Sequence, residues 1–263
     1  MSDKSAPGGQ DPAAANHPDG PYRPATRLYV EADLAAEAVV ELGADQSHYL
    51  QHVLRCKPGD RVNLFNGRDG EWLAEIEGLR KGRGQLRAER RLRPQQASPD
   101  LWLVFAPVKR ARLDYMVQKA VELGVSALIP VVTRFTMVER VKEERLVANA
   151  IEAAEQCDRL DVPEIRDPIA LPALIRDWDP ARSLYFCDEG GDARPLIEVL
   201  RHKGPGPGAV IIGPEGGFHR QERELLRSQA FVAPVTLGPR ILRSDTAAVV
   251  ALSLWQSVLG DWV

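Results

Sequence analysis

Residues 209–230 read AVIIGPEGGFHRQERELLRSQA, four apolar residues, a glycine-rich turn from Gly213 to Phe218, and a segment dense in Glu and Arg. That order, buried strand, loop, amphipathic helix, is the unit from which parallel α/β sheets are built. It recurs on both sides. Upstream lie strand LWLVFAPV (101–108), a helix at 111–123 closed by Gly124, strand SALIPVV (126–132), a helix at 141–160, a short VPEI strand, strand SLYFC (183–187) and a helix at 195–203. The quoted stretch itself supplies a helix at 219–229, and downstream come strand VAPVTL (232–237) and a last helix from about residue 245 to 259. The fold class expected from residues 97–263 is therefore α/β, with a mostly parallel sheet covered by helices.

Residues 26–96 have a different texture. Short alternating runs, RLYV, RVNLF, EWLAEIEG and QLRAERRLR, are separated by turn signals at Pro58–Asp60 and Asn66–Gly67, the pattern of a small antiparallel barrel or curled sheet. PQQASP (94–99) has linker composition, which puts the domain boundary near residue 97. The first 25 residues hold five Pro, three Gly and five Ala and are expected to form a disordered tail.

The 263 residues carry 34 basic and 37 acidic side chains, a net charge of −3, with 44% hydrophobic residues. Such a chain has the apolar content for a core, which excludes disorder of the whole. The longest apolar run, eight residues, is too short to span a bilayer, so no membrane association is expected. The N-terminus lacks the pattern of a secretory signal, and three scattered cysteines suit a reducing compartment, so the expected location is cytoplasmic.

Two loops carry the strongest chemical signal. Gly213–Phe218 lies where open α/β sheets bind ligands, at a strand's carboxyl end, yet it lacks the Lys-Ser/Thr ending of a phosphate loop. Glu215 within it would repel a phosphate, so an amine-bearing or cationic ligand suits it better. Taken alone, a glycine-rich turn before a helix is most often only a turn. The second segment, LGPRILRSDTA (237–247), leaves the next strand and enters the last helix, where Ser244 or Asp245 could cap. Two such loops at neighbouring strand ends make one pocket.

Charge is unevenly spread. Seven basic residues (Arg80, Lys81, Arg83, Arg87, Arg90, Arg91, Arg93) stand against Glu89 alone between 80 and 93, and Lys109, Arg110, Arg112 and Lys119 follow. Such runs either bind phosphate or only solvate an edge strand. His48, His52 and Cys56 share a four-residue spacing, but Pro58 and Gly59 end that helix and no second ligand cluster follows, so no metal is expected. Cys157, read as mid-helix, has no obvious base beside it, and no Gly-x-Ser-x-Gly elbow is present.

GPEGGF followed by LGPRILRSDTA, and preceded by KRARLDYMVQKAVELGV and EAAEQCDRLDVPEI, resembles the RsmE family of 16S ribosomal RNA uridine-N(3) methyltransferases, of the SPOUT superfamily. The resemblance runs from Arg27 to the C-terminus and includes HYLQHVLRCKPGD and the LFNG turn. It implies a PUA-like β-barrel for RNA, a C-terminal domain with a deep trefoil knot, S-adenosyl-L-methionine as cofactor, a homodimer, and 16S rRNA in the small ribosomal subunit as substrate. Cofactor contacts are then expected from Phe186, Cys187, Asp188 and Glu189, from Gly213, Pro214, Glu215, Gly216 and Gly217, and from Leu237, Gly238, Ile241, Leu242 and Thr246. Arg243 is expected to stabilise the charge that develops on the uracil, with Glu215 or Asp245 accepting its proton. RNA contacts are expected from Arg27, Arg55, Arg80, Lys81, Arg83, Arg87, Lys109 and Arg110. The family often carries Glu at the position of Asp245, Ser-Gly at Cys157–Asp158 and Ser at Thr136. The competing reading is a non-catalytic RNA-binding or ribosome-assembly module.

Overall fold

The computed structural model describes residues 26–80, 82–137, 141–188 and 190–262. The chain divides into two compact units between Gln96 and Ala97.

In the first unit, β1 (Arg27–Tyr29), β2 (Val39–Leu42), β3 (Arg61–Phe65), β4 (Glu71–Arg80) and β5 (Arg83–Arg93) form one sheet in the order β1-β3-β4-β5-β2. Alternate residues face inward, so Leu28, Val40, Val62, Leu64, Ile76 and Leu86 meet in a single core. Register shifts between β4 and β5 mark bulges, which bend long strands and let the sheet curl. One pairing departs from the antiparallel expectation: β1 runs parallel to β3, because the chain between them makes a long excursion through β2 and a short helix.

That helix, α1 (Ala44–His48), continues into a π-helical turn at Tyr49–Val53, with Leu54 N–H donating to the Tyr49 carbonyl at 3.0 Å. The His48 and His52 rings stay together, 4.7 Å between centroids, but Cys56 lies past the wider turn. Cys56 is buried in the core, whereas both histidines are exposed.

Glu71 anchors this unit. It is buried and accepts hydrogen bonds from Arg27 Nε (2.7 Å), Asn63 Nδ2 (3.1 Å) and Arg93 Nε (2.6 Å). Burial alone would raise its carboxyl, but the Arg27 and Arg93 bonds outweigh burial and hold it below the usual glutamate range.

The second unit is built on β6 (Leu101–Phe105), α2 (Arg110–Glu122), β7 (Ala127–Val132), α3 (Glu143–Gln156), β8 (Glu164–Ile165), β9 (Ile169–Ala170) and α4 (Leu171–Arg176). It continues with β10 (Ser183–Cys187), β11 (Arg194–Pro195), α5 (Leu196–Arg201), β12 (Gly208–Ile212), α6 (Arg220–Arg227), β13 (Val232–Thr236) and α7 (Ser244–Leu259). The strands pair in parallel in the order β11-β13-β10-β12-β6-β7-β8, with β9 on β7. Parallel strands covered on both faces must be apolar throughout, and β12 is buried at all five positions.

Leu174, Trp178 and Leu226, from and around α4 and α6, pack on Val104, Phe186 and Ile211. α7 lies against β12 between α2 and α5. Trp255 seats on Gly208, where a Cβ would come within 2.6 Å of the indole nitrogen, so only glycine lets that helix approach. The helix expected at 141–160 ends at Gln156. Cys157 is its cap residue and Asp158 has φ +62°, so Cys157 lies at a helix terminus and not mid-helix.

Candidate functional site

The order of the sheet brings the carboxyl ends of β10, β12 and β13 side by side, and the loops leaving them enclose a cavity of about 940 Å³. From β10 come Cys187, Asp188, Gly190 and Gly191; from β12, Gly213, Pro214, Glu215, Gly217 and Phe218. The β13 exit contributes Leu237 through Ser244. A volume near the top of the range for small-molecule sites, walled largely by loop residues, fits an extended ligand with several polar groups.

The two glycine-bearing loops are tied together. Ser244 Oγ donates to the Gly213 carbonyl at 3.1 Å. Arg243, not Ser244 or Asp245, is the N-cap of α7, and its side chain makes no cap hydrogen bond. Asp245 sits inside the first turn, where its carboxylate accepts the Thr246 N–H. Gly213 has no room for a side chain, since a Cβ would lie 2.6 Å from the Phe218 ring, itself edge-on to Phe186. Gly213→Ala is therefore expected to push Phe218 out of place, costing about 1–3 kcal/mol and weakening ligand affinity at least tenfold. Calorimetric titration with S-adenosylmethionine beside a thermal melt checks this, and unchanged affinity would refute it.

Of the expected cofactor residues, Phe186 lies in the core and, with Gly216 and Thr246, is outside the cavity lining; Glu189 lies outside the described residues. Ile241 lines the cavity and is 85% exposed. Asp188 lines the cavity, but its carboxylate is committed. Arg223 Nη2 and Arg227 Nη2 approach it at 2.9 and 2.6 Å, and the Gly190 N–H donates to it at 3.1 Å. Arg227 also grips Asp192 at 2.6 Å, holding that carboxyl down at about 2. The cluster fixes the β10 exit loop against α6. Burial pushes the Cys187 thiol up to about 12, so it stays protonated and is a poor nucleophile.

Arg243 is exposed and lines the cavity, and among the described residues its side chain forms no hydrogen bond or ion pair. Glu215 pairs with Arg112 of α2 and not with Arg243. Three further cavity arginines were not among the expected site residues: Arg112, Arg223 and Arg240. Arg240 lay inside the quoted LGPRILRSDTA stretch. Arg112 lay in the basic run from Lys109, read for phosphate and not for the cavity, and Arg223 in the Glu- and Arg-rich segment after Phe218.

The basic run is partly neutralised at home. Arg87 pairs with Glu77, and Arg93 with Glu71. Arg27 is 9% exposed, bonded to Glu71 with its guanidinium over the Phe65 ring, so it holds the sheet together and does not reach outward. Arg80 and Arg83 face each other at the tip of the β4–β5 hairpin and are exposed, as are Arg55, Lys109 and Arg110. Lys81 and the tail at 1–25 lie outside the described residues.

Residues 95–256 match the RNA methyltransferase domain family, and residues 42–89 the RNA methyltransferase PUA domain family. Ribosomal RNA small subunit methyltransferase E of Rickettsia conorii is 33% identical over 228 residues, covering 86% of this chain and 93% of that protein. A methyltransferase of Legionella pneumophila, solved with bound S-adenosylmethionine, superposes with a TM-score of 0.82 at 31% identity, covering 91% of this chain and 100% of that one. Ribosomal RNA small subunit methyltransferase E of Neisseria gonorrhoeae, also bound to S-adenosylmethionine, gives 0.82 at 27% identity, with 90% and 99% covered.

Proposed function

The chain belongs to the ribosomal RNA small subunit methyltransferase E family, and from that premise we propose that it methylates N(3) of one uridine of 16S rRNA, with S-adenosyl-L-methionine as methyl donor. The second unit is a SPOUT-type α/β domain and the first a PUA-like domain. The observation that carries the reading is the cavity at the joined carboxyl ends of β10, β12 and β13. Its Gly213–Phe218 loop presents a carboxylate in place of a phosphate cradle, which suits a ligand bearing an amine and a sulfonium.

When bound, the cofactor supplies an electrophilic methyl group. The backbone of Gly213, Leu237, Gly238 and Leu242, all of which line the cavity, would hold it, and the packed Phe218 ring keeps the loop in shape. Methylation at N(3) requires the N(3) proton to leave to an acceptor on this chain. Glu215 accepts that proton in preference to Asp245, because Glu215 lines the cavity and Asp245 does not. Arg243 stabilises negative charge on a uracil oxygen with its planar fork.

RNA is held by Arg55, Arg80 and Arg83 on the PUA-like unit and by Lys109 and Arg110 at the start of α2. A homodimer belongs to the same reading. α7 keeps Val249, Val250, Leu254 and Val258 only half-buried, and Ile241 stands exposed beside the cavity, apolar surface suited to a second copy. So does the trefoil knot formed by the loops around the cofactor. Among the described residues no helix is long and apolar enough to cross a membrane, and the protein acts in the cytoplasm on the assembled subunit.

The test is methyl transfer from labelled S-adenosylmethionine to small ribosomal subunits lacking the modification, followed by digestion to nucleosides. Label in 3-methyluridine is expected, with naked 16S RNA a much poorer acceptor than the particle. Label in another nucleoside rejects the substrate assignment, and absence of both label and cofactor binding rejects the enzyme.

A further inference from the structure

We propose that Arg112 is a latch on Glu215 that RNA itself releases: its guanidinium pairs with Glu215 in the free protein, and a substrate phosphate takes that guanidinium on docking. The inference rests on the methyltransferase reading and says when the proton acceptor becomes available.

Arg112 and Glu215 are 103 residues apart, on α2 and on the loop after β12, and both line the cavity. Among the described residues each side chain has only the other as a hydrogen-bonding partner. Glu215 Oε1 faces the Arg112 guanidinium and only Oε2 is left open, so the pair as it stands restricts the role given to Glu215. The two side chains are 35% and 46% exposed, and solvated pairs of this kind contribute little and exchange readily.

The Asp188 cluster in the same cavity shows the opposite construction. There a carboxylate only 3% exposed is gripped by two arginines and a backbone N–H, an arrangement built to stay. Arg112 also stands one turn or less from the exposed Lys109 and Arg110, where phosphates would gather. A guanidinium binds phosphate through two parallel hydrogen bonds, so an incoming phosphodiester competes effectively for it. Each docking event would then move one positive charge from Glu215 to the RNA and leave the carboxylate open for the N(3) proton.

A double-mutant cycle on RNA affinity reads this directly. Binding of unmodified small ribosomal subunits is measured at several salt concentrations with S-adenosylhomocysteine present, for the wild type, Glu215→Gln, Arg112→Ala and the double variant; thermal melts establish that each is folded. Glu215→Gln is expected to tighten binding about threefold or more by removing the competitor for Arg112, and that gain should vanish without Arg112. Arg112→Ala should lower the salt slope by about one, raising KM more than it lowers kcat, and Arg112→Lys should restore the slope. An equal gain from Glu215→Gln in both backgrounds, or an unchanged salt slope in Arg112→Ala, overturns the latch. The affinity cycle needs no turnover. A wild-type chain that binds subunits and methylates nothing would sink the methyltransferase reading separately.

Discussion

Arg243→Ala is expected to slow methyl transfer about 100- to 1,000-fold, the range for loss of one preorganised donor to a developing oxyanion, while the protein stays folded. The structure separates the two effects. Arg243 caps α7 through its backbone carbonyl, which accepts the Ala247 N–H at 2.8 Å, and its side chain makes no cap bond. Alanine keeps that backbone bond. Among the described residues the guanidinium has no partner to lose, so stability should change by no more than about 0.5 kcal/mol, as for other exposed substitutions. Arg243→Lys should recover only part of the rate, because an ammonium keeps the charge and lacks the planar two-donor fork. Single-turnover rates with saturating cofactor, beside calorimetric cofactor affinity, decide it. A rate within threefold of wild type would remove Arg243 from the chemistry.

Much of the second unit was legible because buried parallel strands announce themselves: LWLVF and AVII are apolar runs bounded by turns, and both fall in the middle of the sheet. What was not legible is short. β9 and β11 are two residues each and α4 six, too few for a period to be counted, although the equally short β8 and α5 were read as the VPEI strand and a helix at 195–203. In the first unit the parallel partnership of β1 and β3 depends on a register 36 residues away, set by tertiary packing alone. The cavity loops could be read because glycine and proline mark them locally. Their charged company could not. Arg112 reaches Glu215 across 103 residues, and Arg223 reaches Asp188 across 35. Arg27 runs the other way: sequence offers it as an RNA contact, and only Glu71, 44 residues on, reveals that it is buried in an ion pair.

Glu71→Ala is expected to be the most destabilising single change in the first unit, by about 3–5 kcal/mol, the usual cost of removing one member of a buried ion pair. Glu71 is 3% exposed and serves three donors, so its loss strips Arg27, Asn63 and Arg93 of a common acceptor at once. Arg27, over the Phe65 ring and 9% exposed, cannot regain water without leaving the sheet. Glu71→Gln keeps the volume but not the charge and should fall between the two. The same network sets a pH dependence. The Glu71 carboxyl lies below its ordinary value in the folded state, so the unfolded chain binds its proton first as pH falls. Its stabilisation is complete above the unfolded value of about 4.3 and drains away as pH drops toward the folded value. Urea unfolding should therefore show wild-type stability declining below about pH 4, with a shallower decline for Glu71→Ala, which has no such proton to take up. Parallel declines in the two proteins would mean that other carboxylates, not this buried one, govern acid sensitivity.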